Sequence, residues 1–302
     1  MHHRGRFDLI ASRNTVLFLV MSLIWGGSWA AARIGLDGMP AIFFAAVRYA
    51  VSTVILCVAV RGWTGLYGRE YLGRTLLTGL LVNAGCYGLL FWGMQTVPSG
   101  LAGLINLAVT PVALFALAIW VGDDRPSWRH AAAIATGLAG LIALFWGRLQ
   151  DGGGMEEWPR FAAIIAGTLS YCAGSVLSRP LVQRFSPFQV TAAQVPIGMV
   201  GLAIASAAIE PIHAETWLAL LRPAALGSLA YLVLAGTVAA YTIYMRLVRD
   251  WGTSRAGLYA FLSPVVALAF GHWLFGERIG ATEITGAVLM LGASAIALRG
   301  RS

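Results

Sequence analysis

The sequence predicts an all-α polytopic membrane protein: ten transmembrane helices forming two inverted five-helix repeats, with both termini in the cytoplasm. Three observations predict it. The 302-residue chain is 58% hydrophobic and 11% charged, with a mean hydropathy of +0.75, whereas soluble domains carry about a quarter charged residues. Apolar runs recur along the chain at about the 20 residues a helix needs to cross a bilayer. One run also occurs twice, since Leu101 to Arg125 (LAGLINLAVTPVALFALAIWVGDDR) aligns 153 residues on with Ser254 to Arg278 (SRAGLYAFLSPVVALAFGHWLFGER). That shift sets Pro111 on Pro264, Trp120 on Trp273 and Arg125 on Arg278, with Thr110 against Ser263 and Asp124 against Glu277. Proline, tryptophan and arginine are scarce in such spans, so their coincidence at one offset marks a duplication.

In order, the spans fall at 14–32, 40–60, 73–96, 99–121, 129–147, 160–180, 188–208, 223–246, 254–275 and 281–299. All are expected to be helical, because an open strand leaves backbone groups unpaired in lipid. The first resembles a secretory signal, with Arg4, Arg6 and Arg13 before it and Ala30-Ala31-Ala32 near its end. Its length suffices to span and it has a partner in the repeat, so retention is expected. At an offset of 147, Gly27-Ser28 falls on Gly174-Ser175, and Pro40 before the second span falls on Pro187 before the seventh. The expected organisation is a cytoplasmic segment at 1–13, a first repeat at 14–147, an extracytoplasmic linker at 148–159, a second repeat at 160–299 and a tail at 300–302.

The 21 basic residues are all arginine, and their placement orients the chain. Arg33, Arg148, Arg160, Arg222 and Arg278 fall on one side, Arg48 lies inside a span, and the remainder fall on the side of the N-terminus, which is therefore cytoplasmic. An odd number of helices per repeat inverts the second copy. Inverted repeats are the build of secondary transporters, with the binding site near the midplane.

Arg48 is the most informative single position. A charge near the bilayer centre costs about 2.5–3.5 kcal/mol on insertion scales, so it is expected to face protein or water and to have partners. No Asp or Glu lies deep in any span. The partners are therefore carbonyls, polar side chains or a substrate, and an arginine fork suits a carboxylate; a structural tether is the other reading. In the duplicated spans, Asn106 and Thr110 share one helix face, as do Tyr259 and Ser263. They are candidates for a cavity wall, unless Thr110 and Ser263 satisfy their own helix backbone. Further candidates are Trp25, Asn83 with Tyr87, Tyr171 with Ser175, and Tyr241 with Tyr244, whose rings with polar tips suit an amphipathic substrate or ordinary packing. His272 is a candidate for proton coupling, and Gly26, Gly27, Pro111 and Pro264 for hinges or close packing.

Several classes are disfavoured. Cys57, Cys86 and Cys172 have no metal-like spacing, so neither a metal site nor a disulfide framework is expected, and no motif calls for a cofactor. The net charge of +8 sits between apolar runs, which points to anionic lipid and topology rather than nucleic acid. An intramembrane hydrolase using Ser175 and His272 has no orienting acid, and no filter-like repeat suggests a channel. No catalytic residue is therefore expected.

Each half closes with a T/S-P span, an acid–arginine pair and a small-residue helix (Ala133, Gly137 and Gly140; Gly286 and Ala293). These features resemble the two EamA domains of the drug/metabolite transporter superfamily, over nearly the whole chain. The resemblance implies a multi-pass bacterial inner-membrane transporter that exports small metabolites, amino acids foremost and aromatic ones among them, by alternating access. Drug, sugar-phosphate or nucleotide-sugar transport is the second reading, although phosphate asks for several buried cations and the core offers Arg48 alone. The expected partners are a small-molecule substrate and lipid; monomer and homodimer both remain open. With no deep carboxylate, facilitated export down a gradient is expected.

Overall fold

The computed structural model describes residues 2–93, 99–125, 127–150, 158–275 and 280–299. Glu277, Arg278, most of the 148–159 linker and the 300–302 tail lie outside the described residues, as does the side chain of Trp29. Among the described residues the chain is all-helical. Its long helical runs are α1 (His2–Gly35), α2 (Ala41–Ala59), α3 (Leu72–Gly93), α4 (Ser99–Trp120), α5 (Trp128–Gln150), α6 (Trp158–Arg184), α7 (Pro187–Ile209), α8 (Pro223–Trp251), α9 (Tyr259–Phe275) and α10 (Ala281–Arg299). Six are long and apolar enough to cross a membrane: Arg13–Ala32 within α1, then α2, α3, α6, α7 and α8. Ile105–Trp120 in α4 and Ile284–Ala293 in α10 are shorter apolar stretches.

Helix starts follow from local chemistry. At α7, Ser186 Oγ accepts from Gln189 N at 3.2 Å, while Gln189 Oε1 accepts from Ser186 N at 3.0 Å, and Pro187 sits where a helix needs no donor. The start of α2 lacks such a cap, because Pro40 offers no side-chain acceptor. Glu210, just past the end of α7, supplies it: Oε1 accepts from Ile42 N at 2.8 Å and Oε2 from Phe43 N at 2.7 Å, with Ser206 Oγ donating to Oε2 at 2.9 Å. At the opposite ends of the pair, Gln189 Nε2 donates to Arg61 O at 3.0 Å. The start of one helix thus meets the end of the other at both ends, so α2 and α7 run antiparallel.

The remaining packing has a regular pattern. α5 lies along α10, α1 along α9 and α4 along α6, while α3 packs on α6 and α7, and α8 on α1 and α2. Exchanging each helix for the one five places away maps these pairs onto one another, although α8 also meets α6 where α3 and α1 have no comparable contact. Glycines permit the close approaches. A methyl added at Gly26 would lie 2.5 Å from Val266 Cβ on α9, one at Gly27 2.7 Å from Tyr231 Oη, and one at Gly140 2.7 Å from Met290 Cγ and 2.9 Å from the Gly286 carbonyl. The small-residue faces of α5 and α10 are thus used against each other within one chain.

Two features are not evident from the spans. Leu80–Gly85 in α3 and Leu232–Tyr241 in α8 are π-helical, and both sit in the third long helix of their half. The span expected at 254–275 is also divided: Gly252 (φ 84°) ends α8, a short turn covers Thr253–Ala256, and α9 starts at Tyr259. Only glycine adopts that φ without strain.

Candidate functional site

The site forms where the two π-helical segments face Arg48. It is lined by Trp25 from α1, Arg48 and Tyr49 from α2, Val82, Asn83 and Tyr87 from α3, Tyr171 from α6, and Gly236, Thr237 and Tyr241 from α8. The space among them is about 20 Å³, room for about one water molecule. The helices therefore leave little room at the site.

Arg48 is 8% exposed, and its neighbours are polar or aromatic. Its Nε donates to Thr237 Oγ1 at 2.9 Å, and the guanidinium carbon lies 5.5 Å from the Tyr87 ring and 5.7 Å from the Tyr49 ring. Such faces attract a cation, more strongly where it is desolvated. Among the described residues no carboxylate lines the cavity. The buried acid among the described residues is Glu210, which is occupied at the start of α2.

A directed hydrogen-bond network runs from the cavity into α7. Tyr49 Oη donates to Asn83 Oδ1 at 3.0 Å, and Asn83 Nδ2 donates to the Gln194 carbonyl at 3.1 Å. The Gln194 side chain accepts from Tyr241 Oη at 2.6 Å and donates from Nε2 to Thr78 Oγ1 at 2.7 Å and Ser178 Oγ at 2.8 Å. The last two hydroxyls have already given their protons to the carbonyls of Arg74 and Gly174, so toward Gln194 they act as acceptors. Gly198 makes the network reachable, since any Cβ there would run into Asn83 Cβ.

An aromatic cluster backs the cavity. Trp25 Nε1 donates to the Gly236 carbonyl at 3.2 Å, and its ring packs 4.5 Å from Tyr259 and 5.5 Å from Tyr244. Tyr244 in turn lies 5.7 Å from Tyr171 and 6.5 Å from Tyr241. The hydroxyls of Tyr171, Ser175 and Tyr244 are buried beside the cavity and turn toward one another, Tyr244 meeting both Ser175 and Tyr171.

Of the residues singled out from sequence, Trp25, Arg48, Asn83, Tyr87, Tyr171 and Tyr241 line the cavity, while Tyr244, Tyr259 and Ser175 stand behind it. Asn106, Thr110 and Ser263 lie elsewhere. Asn106 Nδ2 donates to Thr168 Oγ1 at 2.9 Å, Thr110 Oγ1 to the Asn106 carbonyl of its own helix at 2.7 Å, and Ser263 Oγ to the Ser22 carbonyl at 3.4 Å. Pro111 and Pro264 stay inside continuous helices, and exposed His272 is near the end of α9, outside the cavity lining. Sequence reasoning missed Tyr49, Gln194, Gly236, Thr237 and Glu210. A glutamine seven residues into the apolar run of α7 was a visible signal; Thr237 and Gly236, ordinary in such a run, were not.

Two stretches of the chain, residues 14–146 and 160–299, match the EamA-like transporter family. The chain is 29% identical to YedA, named an uncharacterized inner membrane transporter of Escherichia coli, over 86% of this chain and 82% of that one. It is 26% identical to a protein of Salmonella typhimurium named "probable amino-acid metabolite efflux pump", over 93% of each. A solved crystal structure superposes with a TM-score of 0.78 at 19% identity, covering 95% of this chain and 96% of the other, a likeness of fold alone.

Proposed function

The chain belongs to the EamA-like transporter family, as a multi-pass inner-membrane transporter of the drug/metabolite superfamily and not an enzyme, and from that premise we propose that it exports small carboxylate-bearing metabolites, amino acids foremost, by alternating access. The observation that carries this reading is Arg48, buried at a narrow cavity of aromatic walls that no acid among the described residues lines. An arginine held there with a polar side-chain partner, and with no carboxylate of the cavity as counter-ion, is suited to receive one from a substrate. Aromatic rings from five helices suit an apolar or flat side chain beside it. The name of the Salmonella relative agrees with this substrate class.

In this reading the long helices make ten crossings, both termini are cytoplasmic and the second half is inverted. The antiparallel run of α2 and α7 and the exchange symmetry of the packing support the inversion. The site opens to one side and then the other as the walls around Arg48 separate. Transport runs down the substrate gradient, because the cavity has no acid to carry a proton across.

The test is counterflow into proteoliposomes with a panel of amino acids, comparing the parent with Arg48→Ala. Loss of exchange in Arg48→Ala is expected; equal exchange would sink the carboxylate reading. Uphill accumulation driven by an imposed pH gradient would refute the facilitated mechanism. Sugar phosphates are the weaker reading, since a doubly charged phosphate meets a single cation here.

A further inference from the structure

We propose that Thr237 is a positioning residue for substrate recognition, its hydroxyl holding Arg48 so that the guanidinium presents its two terminal nitrogens to the substrate carboxylate. The inference rests on the reading of Arg48 above. It begins with the backbone of α8. In a regular α-helix a threonine hydroxyl bonds the carbonyl three or four residues back, but Thr237 lies in the π-helical segment and donates to the Leu232 carbonyl, five residues back, at 3.1 Å. A hydroxyl has one proton to give. With that proton committed to Leu232, Thr237 Oγ1 faces Arg48 as an acceptor and takes the Nε–H at 2.9 Å.

The consequence lies in the shape of guanidinium. The group is planar and rigid, so fixing Nε restricts where Nη1 and Nη2 point. A carboxylate grips arginine either side-on, through Nε and one terminal nitrogen, or end-on, through both terminal nitrogens. Thr237 occupies Nε, which leaves the end-on fork. The neighbouring residue makes room for it: a methyl on Gly236 would lie 3.3 Å from Nη2, tighter than ordinary contact, so only a bare backbone leaves Arg48 undisturbed. The same segment fixes Trp25 through the Gly236 carbonyl. One π-helical stretch thus sets both the charged prong and an aromatic wall, and local π-helix is frequent at functional sites.

Thr237→Val keeps the shape and removes the acceptor, while Thr237→Ser keeps the acceptor. Both are reconstituted beside the parent and Arg48→Ala, and counterflow is measured with the amino acid of the panel that the parent exchanges fastest and with its carboxamide. Thr237→Val is expected to raise the half-saturation concentration for the amino acid roughly tenfold, with maximal rate within about twofold and the carboxamide unaffected. Thr237→Ser restores the parent value. Equal weakening for amino acid and carboxamide marks a merely structural role and overturns the proposal, as does a parent-like Thr237→Val when Arg48→Ala has lost exchange. If Arg48→Ala itself exchanges normally, the reading of Arg48 fails first.

Discussion

Replacing Glu210 by glutamine, normally a mild change, is expected to destabilise the bundle almost as much as replacing it by alanine. The carboxylate accepts three hydrogen bonds, from Ile42 N at 2.8 Å, Phe43 N at 2.7 Å and Ser206 Oγ at 2.9 Å. Two of these are charge-assisted bonds to the first turn of α2, where no other side chain caps the helix. Hydrogen bonds to a charged group contribute about 1.5–3 kcal/mol each, and a negative charge at a helix N-terminus adds about 0.3–1 kcal/mol. Glutamine keeps one oxygen but turns an NH₂ donor toward a backbone N–H, so one bond is lost and two donors face each other. The expected loss for Glu210→Gln is about 2–4 kcal/mol, discounted from the full sum because water can partly serve the freed groups. That corresponds to a fall of roughly 3–6 °C in apparent melting temperature in detergent. Thermal unfolding of purified Glu210→Gln, Glu210→Ala and parent decides it. If Glu210→Gln melts with the parent while Glu210→Ala does not, shape rather than charge and acceptor count holds the start of α2, and the reasoning is wrong. Because α2 carries Arg48, loosening its first turn should also weaken substrate affinity modestly.

Three further outcomes follow from the same geometry. Gln194→Glu should be as damaging as Gln194→Leu, because Thr78 and Ser178 meet Gln194 as acceptors and would face a carboxylate with none of their own protons free; each orphaned buried group costs about 1–3 kcal/mol, readable as lost thermal stability, and a stable Gln194→Glu would show the proton assignments to be reversed. Gly236→Ala should reduce carboxylate exchange with little change in melting temperature, since its methyl meets Nη2 at 3.3 Å and the backbone needs no special φ there; parent-like exchange would mean Arg48 moves aside freely. Gly140→Val should lower stability by about 1–3 kcal/mol through overpacking at the α5–α10 seam, with half-saturation unchanged in the folded fraction, and a selective affinity loss would contradict that division.

The individual residues differ in how far sequence could reach them. Arg48 stood out because a charge in an apolar run demands an account, and the account took the form of a polar partner, Thr237. Asn106 and Thr110 stood out by the same polarity at helical spacing, yet they are satisfied by Thr168 and by the backbone of α4. Polarity marks a side chain that needs a partner; it does not say whether the partner is a neighbouring helix or a substrate. Glu210 was invisible for the opposite reason, since an acid at a span boundary is ordinary in sequence and its role depends on the start of a helix far away in the chain.

The sequence by itself determined the helical, membrane-embedded character of this protein, because composition and span length leave no other way to satisfy a backbone in lipid. It also carried the duplicated motif and the family. The tertiary structure decided which faces meet: the proline-bearing helices α4 and α9 lie along α6 and α1, and the cavity is walled by α1, α2, α3, α6 and α8. In a membrane both the lipid side and the protein side of a helix are apolar, so periodicity does not tell inward from outward. The π-helical turns that bring Asn83, Gly236 and Thr237 to Arg48 depend on that packing, and no local pattern in α3 or α8 announces them.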